Sequence, residues 1–207
     1  MDIDGGGLRE RKKRETRIAL SWATIRLVVE RGLDNVRIED IAAEAGVSTR
    51  TFSNYFATKG EAIAARHFER ARSIAEQLRQ RPADEPIWTA VTEAALTGFA
   101  LGDGTPEKLF PDEQWLSGIR LMVAEPALQS EFAKAGAAAE AEFAAAIAER
   151  TGTDAAKDLY PRLMAATVVA AFNVVIGQWL DTEPPGSMAD LLRDVFGRLA
   201  AGLPAPH

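Results

Sequence analysis

Apolar residues recur at three- and four-residue steps along nearly the whole chain and nowhere alternate in the period-two pattern of a strand. Ile18, Trp22, Ile25 and Val29 mark one stripe of a long amphipathic helix that ends near Gly32. Ile38, Ile41, Ala42 and Ala45 form a shorter stripe, with Glu39, Asp40 and Glu44 turned away from it. Gly46 follows, where a helix commonly closes on a left-handed residue, and Val47 tucks the turn inward. Ser48 is a good N-cap for a third helix, whose Phe52 and Phe56 share its buried face.

Thr58 and Glu61 read as a capping box, the hydroxyl accepting from the Glu61 amide and the carboxylate from the Thr58 amide. They start a helix that runs from Lys59 to about Gln80 and stops before Arg81-Pro82. Proline, glycine and capping residues punctuate five more. These run from Pro86 to Leu101, Pro111 to Val123, Pro126 to Arg150, Ala155 to Leu180, and Ser187 to about Ala201. The fold class is all-α, with about nine helices. The eighth differs in kind: from Leu163 to Leu180 it is apolar nearly all round, so burial on every side is expected.

The third helix presents Thr49, Arg50, Thr51, Ser53, Asn54 and Tyr55 around its apolar stripe, with no carboxylate among them. Such a surface suits the DNA major groove. Arginine bonds guanine bidentately, asparagine does so with adenine, and threonine offers a hydroxyl to a base edge or a methyl to thymine. An acidic residue there would face phosphates. A helical hairpin with a solvated polar face would share this short pattern; the flanking helices favour the DNA reader. Lys59 lies in the first turn of the next helix, where a cation opposes the helix dipole, so a phosphate is its expected partner.

From about Arg11 to Arg66 the chain resembles the tetracycline-repressor (TetR) family of bacterial transcription regulators. The resemblance rests on Glu30-Arg31-Gly32-Leu33, on the run Ile41 to Ser48, on the pairs Thr51-Phe52 and Tyr55-Phe56, and on Thr58-Lys59. Two positions depart from the family pattern. Arg37 stands where the family usually has a capping threonine, a loss of about 1 kcal/mol unless the guanidinium reaches a phosphate instead. Ser53 replaces an aromatic residue that would touch the backbone. Carried over position by position, the resemblance makes Thr49, Arg50, Thr51 and Asn54 the base-reading candidates, with Ser48, Tyr55, Lys59 and Arg37 anchoring phosphates.

The resemblance implies a DNA-binding domain over residues 1–58 and a ligand-binding and dimerisation domain over residues 59–207. It also implies a homodimer through the last two helices, a palindromic double-stranded DNA operator and a small-molecule effector. The Lys59 helix would be the lever between the domains. At the dimer seam Val175→Arg is expected to give monomers. Candidate pocket residues are Trp88, Phe99, Phe110, Trp115, Met122, Phe143, Met164, Phe172 and Trp179, with Asn173 and Gln178 as polar groups among them. Each aromatic is equally at home in a core. Asn173, read as a buried amide, needs partners either in the pocket or across the seam. The effector is expected to be apolar or amphipathic, its identity open. An activator, or a DNA-binding protein without effector, remains the alternative.

Charge supports the division. The net charge is −6, yet residues 1–70 carry thirteen Lys and Arg against eleven Asp and Glu, so the remainder is strongly acidic. Arg9, Arg11, Lys12, Lys13, Arg14 and Arg17 crowd the start of the first helix, either as a solvated end or as a phosphate-binding arm; residues 1–8, with three glycines, are expected to be disordered. No cysteine offers a disulfide or thiolate ligand, and no metal or cofactor is expected. Two histidines, with no nucleophile elbow, phosphate loop or zinc signature, argue against an enzyme. Nothing resembles a leader peptide, and Ala165 to Gly177 is too short to span a bilayer, so a cytoplasmic protein is expected.

Overall fold

The computed structural model describes residues 4–102, 113–182 and 186–205, with side chains described from Arg9 onward except at residues 100–102 and 113–115. Among the described residues it holds nine α-helices and no strand. They are α1 (Asp4–Arg31), α2 (Ile38–Glu44), α3 (Thr49–Tyr55), α4 (Lys59–Gln80), α5 (Ile87–Gly102), α6 (Glu113–Ala124), α7 (Gln129–Thr151), α8 (Leu159–Asp181) and α9 (Met188–Ala200). Short 3-10 turns at Leu33–Asn35 and Pro126–Leu128 precede α2 and α7.

Three boundaries differ from the sequence reading. Helix α1 begins at Asp4 and takes in the three glycines expected to be disordered; extending an established helix adds a hydrogen bond per residue, which offsets part of glycine's entropic cost. Pro126 opens a 3-10 turn, capped by Glu125, ahead of α7. Residues 155–157 form a turn ahead of α8. There the Asp154 carboxylate accepts from the Ala156 amide at 2.8 Å, and Asp158 accepts from the Asp154 amide at 2.7 Å. Hydrogen bonding from Lys157, with help from the Ala156 amide, holds the Asp154 carboxyl below its usual range. Pro161 therefore falls in the first turn of α8, where its missing N–H costs nothing.

The chain packs as two compact units, and their division differs from a cut at residue 58. The first holds the described residues of Met1–His67 and Leu109–Ala135; the second holds those of Phe68–Lys108 and Gly136–His207. The reason for the difference is α6. In the first unit it packs on α1, with Gly118 so close to Val29 that a Cβ at residue 118 would stand 2.6 Å from Val29 Cγ1 and 2.9 Å from its carbonyl oxygen. Met122 and Leu128 then join Leu20, Leu27, Ile41, Phe52, Phe56 and Ile63 in one core.

In the second unit α9 packs against α5 and α8. The core there contains Ile74, Leu78, Phe99, Phe143, Ile147, Val168, Phe172 and Phe196. Arg150 closes the α4–α5 loop by donating to the carbonyls of Arg81, Pro82 and Glu85, while Glu85 accepts from Arg81, which holds its carboxyl below the usual range. Helix α8 is the one described helix long and apolar enough to cross a membrane by composition, but Met164, Ala165, Val168, Ala171, Phe172 and Val175 all enter this core. Its opposite side, expected to be buried, carries Leu159, Leu163 and Val174 at 74, 59 and 57 % exposure.

Candidate nucleic-acid interface

Three local devices fix the α2–α3 pair. Helix α2 closes with a Schellman turn: Val47 N–H donates to Ala42 O at 2.9 Å and Gly46 N–H to Ala43 O at 3.1 Å, with Gly46 at φ +67°. Ser48 then caps α3 by accepting from the Thr51 amide at 3.1 Å. Phe52 and Phe56 are buried with ring centroids 5.8 Å apart. Phe56 is the C-cap of α3 in extended backbone, not a helical residue as its spacing predicts. At the start of α2, Arg37 offers no side-chain acceptor. The Asp40 carboxylate instead accepts the Arg37 amide at 3.0 Å, which recovers half a capping box where the family pattern has threonine.

Buried on one side, α3 exposes Thr49, Arg50, Ser53 and Asn54 on the other, with Ser48 and Arg37 exposed beside them. Arg50 and Asn54 lie four apart, on one face. Thr51 is half-buried and its hydroxyl shares a 2.9 Å hydrogen bond with Ser48. That bond engages the Thr51 hydroxyl within the cap of α3. The Ser53 hydroxyl donates to Thr49 O at 3.2 Å, and Tyr55 packs its ring against the core of the first unit.

Lys59 has main-chain partners within the fold. Its ammonium donates to the carbonyls of Leu33 and Val36, each at 2.7 Å. A cation opposing the dipole of α4 is thus explained within the fold: it satisfies main-chain acceptors of the segment that leads into α2. Only one of three ammonium protons is left for any other acceptor. Lys59→Ala is expected to destabilise the first unit by about 1–3 kcal/mol, read as a lower denaturation midpoint, because two part-buried carbonyls lose charged donors. An unchanged midpoint with a flatter salt dependence of DNA binding would restore the phosphate role.

The box at α4 is likewise shifted by one residue. Thr58 Oγ1 accepts from the Glu61 amide at 3.0 Å, while the Glu61 carboxylate accepts from Ala57, not Thr58, at 2.8 Å. Two contacts escaped the sequence reading. Arg17 lies over the Phe56 ring at 4.7 Å, and Arg26 of α1 pairs with Glu44 of α2 at 2.9 Å. Neither has a local signal, since each joins segments distant in sequence.

The pocket candidates scatter. Phe99, Phe143 and Phe172 are buried together, their rings 5.8–5.9 Å from Phe172, and Phe172 meets Phe196 edge-on at 5.4 Å. Trp88 lies 6.3 Å from Phe196, and Met164 is buried in the same core. Met122 belongs to the first unit's core instead. Asn173 and Gln178 are exposed on α8, so neither is the buried amide expected. The Trp179 indole donates to Gly186 O at 3.0 Å, a tie to the segment before α9. Phe110 and the side chain of Trp115 lie outside the described residues.

Comparison with known proteins agrees with this arrangement. The family described as "Bacterial regulatory proteins, tetR family" matches residues 22–65, and the "MftR C-terminal domain" matches residues 85–204. The chain is 31 % identical over 178 residues to the HTH-type transcriptional regulator TcmR of Streptomyces glaucescens, covering 85 % of this chain and 78 % of that protein. A putative TetR-family transcriptional regulator from Rhodococcus sp. is similar in fold, with 24 % identity, TM-score 0.54, and 92 % of this chain and 100 % of that one covered. The transcriptional regulator FadR from Bacillus subtilis, solved in complex with stearoyl-CoA, is similar at 16 % identity and TM-score 0.56, with 89 % and 97 % covered.

Proposed function

Since the chain belongs to the TetR family of bacterial transcription regulators, we propose that it acts in the cytoplasm as a homodimeric repressor that a small apolar or amphipathic effector releases from a palindromic operator. The observation that carries the reading is α3, whose exposed Thr49, Arg50, Ser53 and Asn54 form a carboxylate-free face on a helix anchored by buried phenylalanines. Arg50 and Asn54 read base edges; Ser48 and Arg37 hold the backbone. Arg50→Ala should cost about 1–3 kcal/mol of operator affinity and relax sequence preference. Unchanged selectivity, measured by competition between operator variants, would remove Arg50 from the reading set.

The exposed apolar side of α8 supports the homodimer. Leu163 and Val174 flank the small residues Ala166 and Ala170, which lets a second helix approach closely. Two copies of α3 then read successive major grooves about 34–36 Å apart, so the operator is palindromic. Stearoyl-CoA in the Bacillus subtilis FadR structure supports an amphipathic effector here. Because Phe99, Phe143 and Phe172 pack against one another, the effector selects a body conformation in which those rings part. A hundredfold loss of operator affinity requires about 2.7 kcal/mol of coupling. Helix α4, which contributes residues to both units, is the proposed lever.

The test is to select sites from a random duplex library and then challenge the winner with acyl-CoA and other apolar or amphipathic small molecules. A palindrome released by one of them supports the proposal. A site unaffected by any ligand leaves a regulator without effector control, and failure to enrich any site overturns the reading.

A further inference from the structure

The first helix begins well before the core it helps to build. Its first fully buried residue is Leu20, about 16 Å along the axis from Arg9. Between them Arg9, Arg11, Lys12 and Lys13 are exposed, and residues 9–17 carry six basic against two acidic side chains.

Two contacts place this projection beside the reading helix. Arg17 rests on the ring of Phe56, the C-cap of α3, at 4.7 Å. Glu15, Thr16, Ala19 and Leu20 border a groove whose other wall is Ala45 and Val47, at the α2–α3 turn. Arg9 and Lys13 continue, at four-residue steps, the row of α1 on which Arg17 lies, so that row runs past the end of α3. Lys12 borders it. The helix is internally braced here, with Thr16 Oγ1 donating to Lys12 O at 2.9 Å and Arg11 within 3.7 Å of Glu15.

We infer that the amino-terminal projection of α1 is a second DNA-binding element, in which Arg9, Lys12 and Lys13 contact phosphates next to the groove that α3 enters. This inference rests on the DNA-reading role of α3. A helix that holds its cations in a fixed row loses less entropy on binding than a coil of equal charge. The row also offsets the field of the acidic remainder of the chain, which repels a polyanion.

The test compares the wild-type protein with the triple variant Arg9→Gln, Lys12→Gln, Lys13→Gln on the selected operator duplex between 50 and 300 mM salt. Each phosphate contact adds about 0.9 to the slope of log affinity against log salt, so the slope should fall by about 2–3 per subunit. The base preference from repeat selection should be unchanged, as should the circular dichroism and melting midpoint, because all three side chains are exposed on a helix and glutamine keeps its propensity. A fall of less than two per subunit overturns the inference and leaves the α3 reading intact. A wild-type protein that enriches no site overturns both.

Discussion

Val175→Arg should unfold the second unit, whereas Val174→Arg should leave it folded and separate the proposed dimer. The two positions adjoin in sequence, but Val175 is fully buried among the residues α8 gives to its own core, while Val174 is 57 % exposed. A guanidinium at 175 meets overpacking and an unpaired buried charge together, a loss of at least about 4 kcal/mol. At 174 it meets water in the single chain and an apolar partner in the proposed dimer. Sedimentation of Val174→Arg should therefore give half the wild-type mass with unchanged helix content. Its operator affinity should drop by at least about a hundredfold, since each copy holds one half-site. A Val174→Arg dimer would move the seam off this side of α8.

Phe172→Ala should cost about 3–5 kcal/mol in the denaturation free energy. Phe172 is the hub of the aromatic cluster, with Phe99, Phe143 and Phe196 all within 6 Å, ring to ring. Its removal takes away transfer free energy and ring contacts together and leaves space that neighbours on three different helices cannot close. The same experiment separates core from pocket. A ring that lines a ligand-ready cavity packs poorly and its loss costs little, so a change below about 1 kcal/mol would return Phe172 to the pocket wall. Added effector should raise the wild-type midpoint by mass action, and the variant's by a different amount if the rings part around it.

Much of this was legible in the sequence, and the failures have a common cause. Helical period, the Gly46 closure, the Ser48 cap and the start of α4 depend on neighbours within a few residues, and they lie where the pattern placed them. Composition could not orient α8, because an all-round apolar helix reveals no angle; only packing separates Val174 from Val175. The exposure of Asn173, beside Val174 on that open side, was hidden for the same reason. The partners of Lys59 had no signal, because Leu33 O and Val36 O are carbonyls far along the chain and a main-chain acceptor leaves no mark in the sequence. Phe196 joins the aromatic cluster through partners on other helices, so its place in the core has no local signal either.

The wedge of α6 against α1 changes what counts as the reading head. Because Gly118, Met122 and Leu128 complete the core under Phe52 and Phe56, the head is a graft of two stretches of chain and cannot be excised at residue 58 without baring the apolar seat of α1. Variation at residue 118 or 128 is then variation of the DNA reader, however remote those positions look from α3 on a linear map. Recombination that swaps heads between regulators would have to carry both stretches, or inherit a mismatched joint.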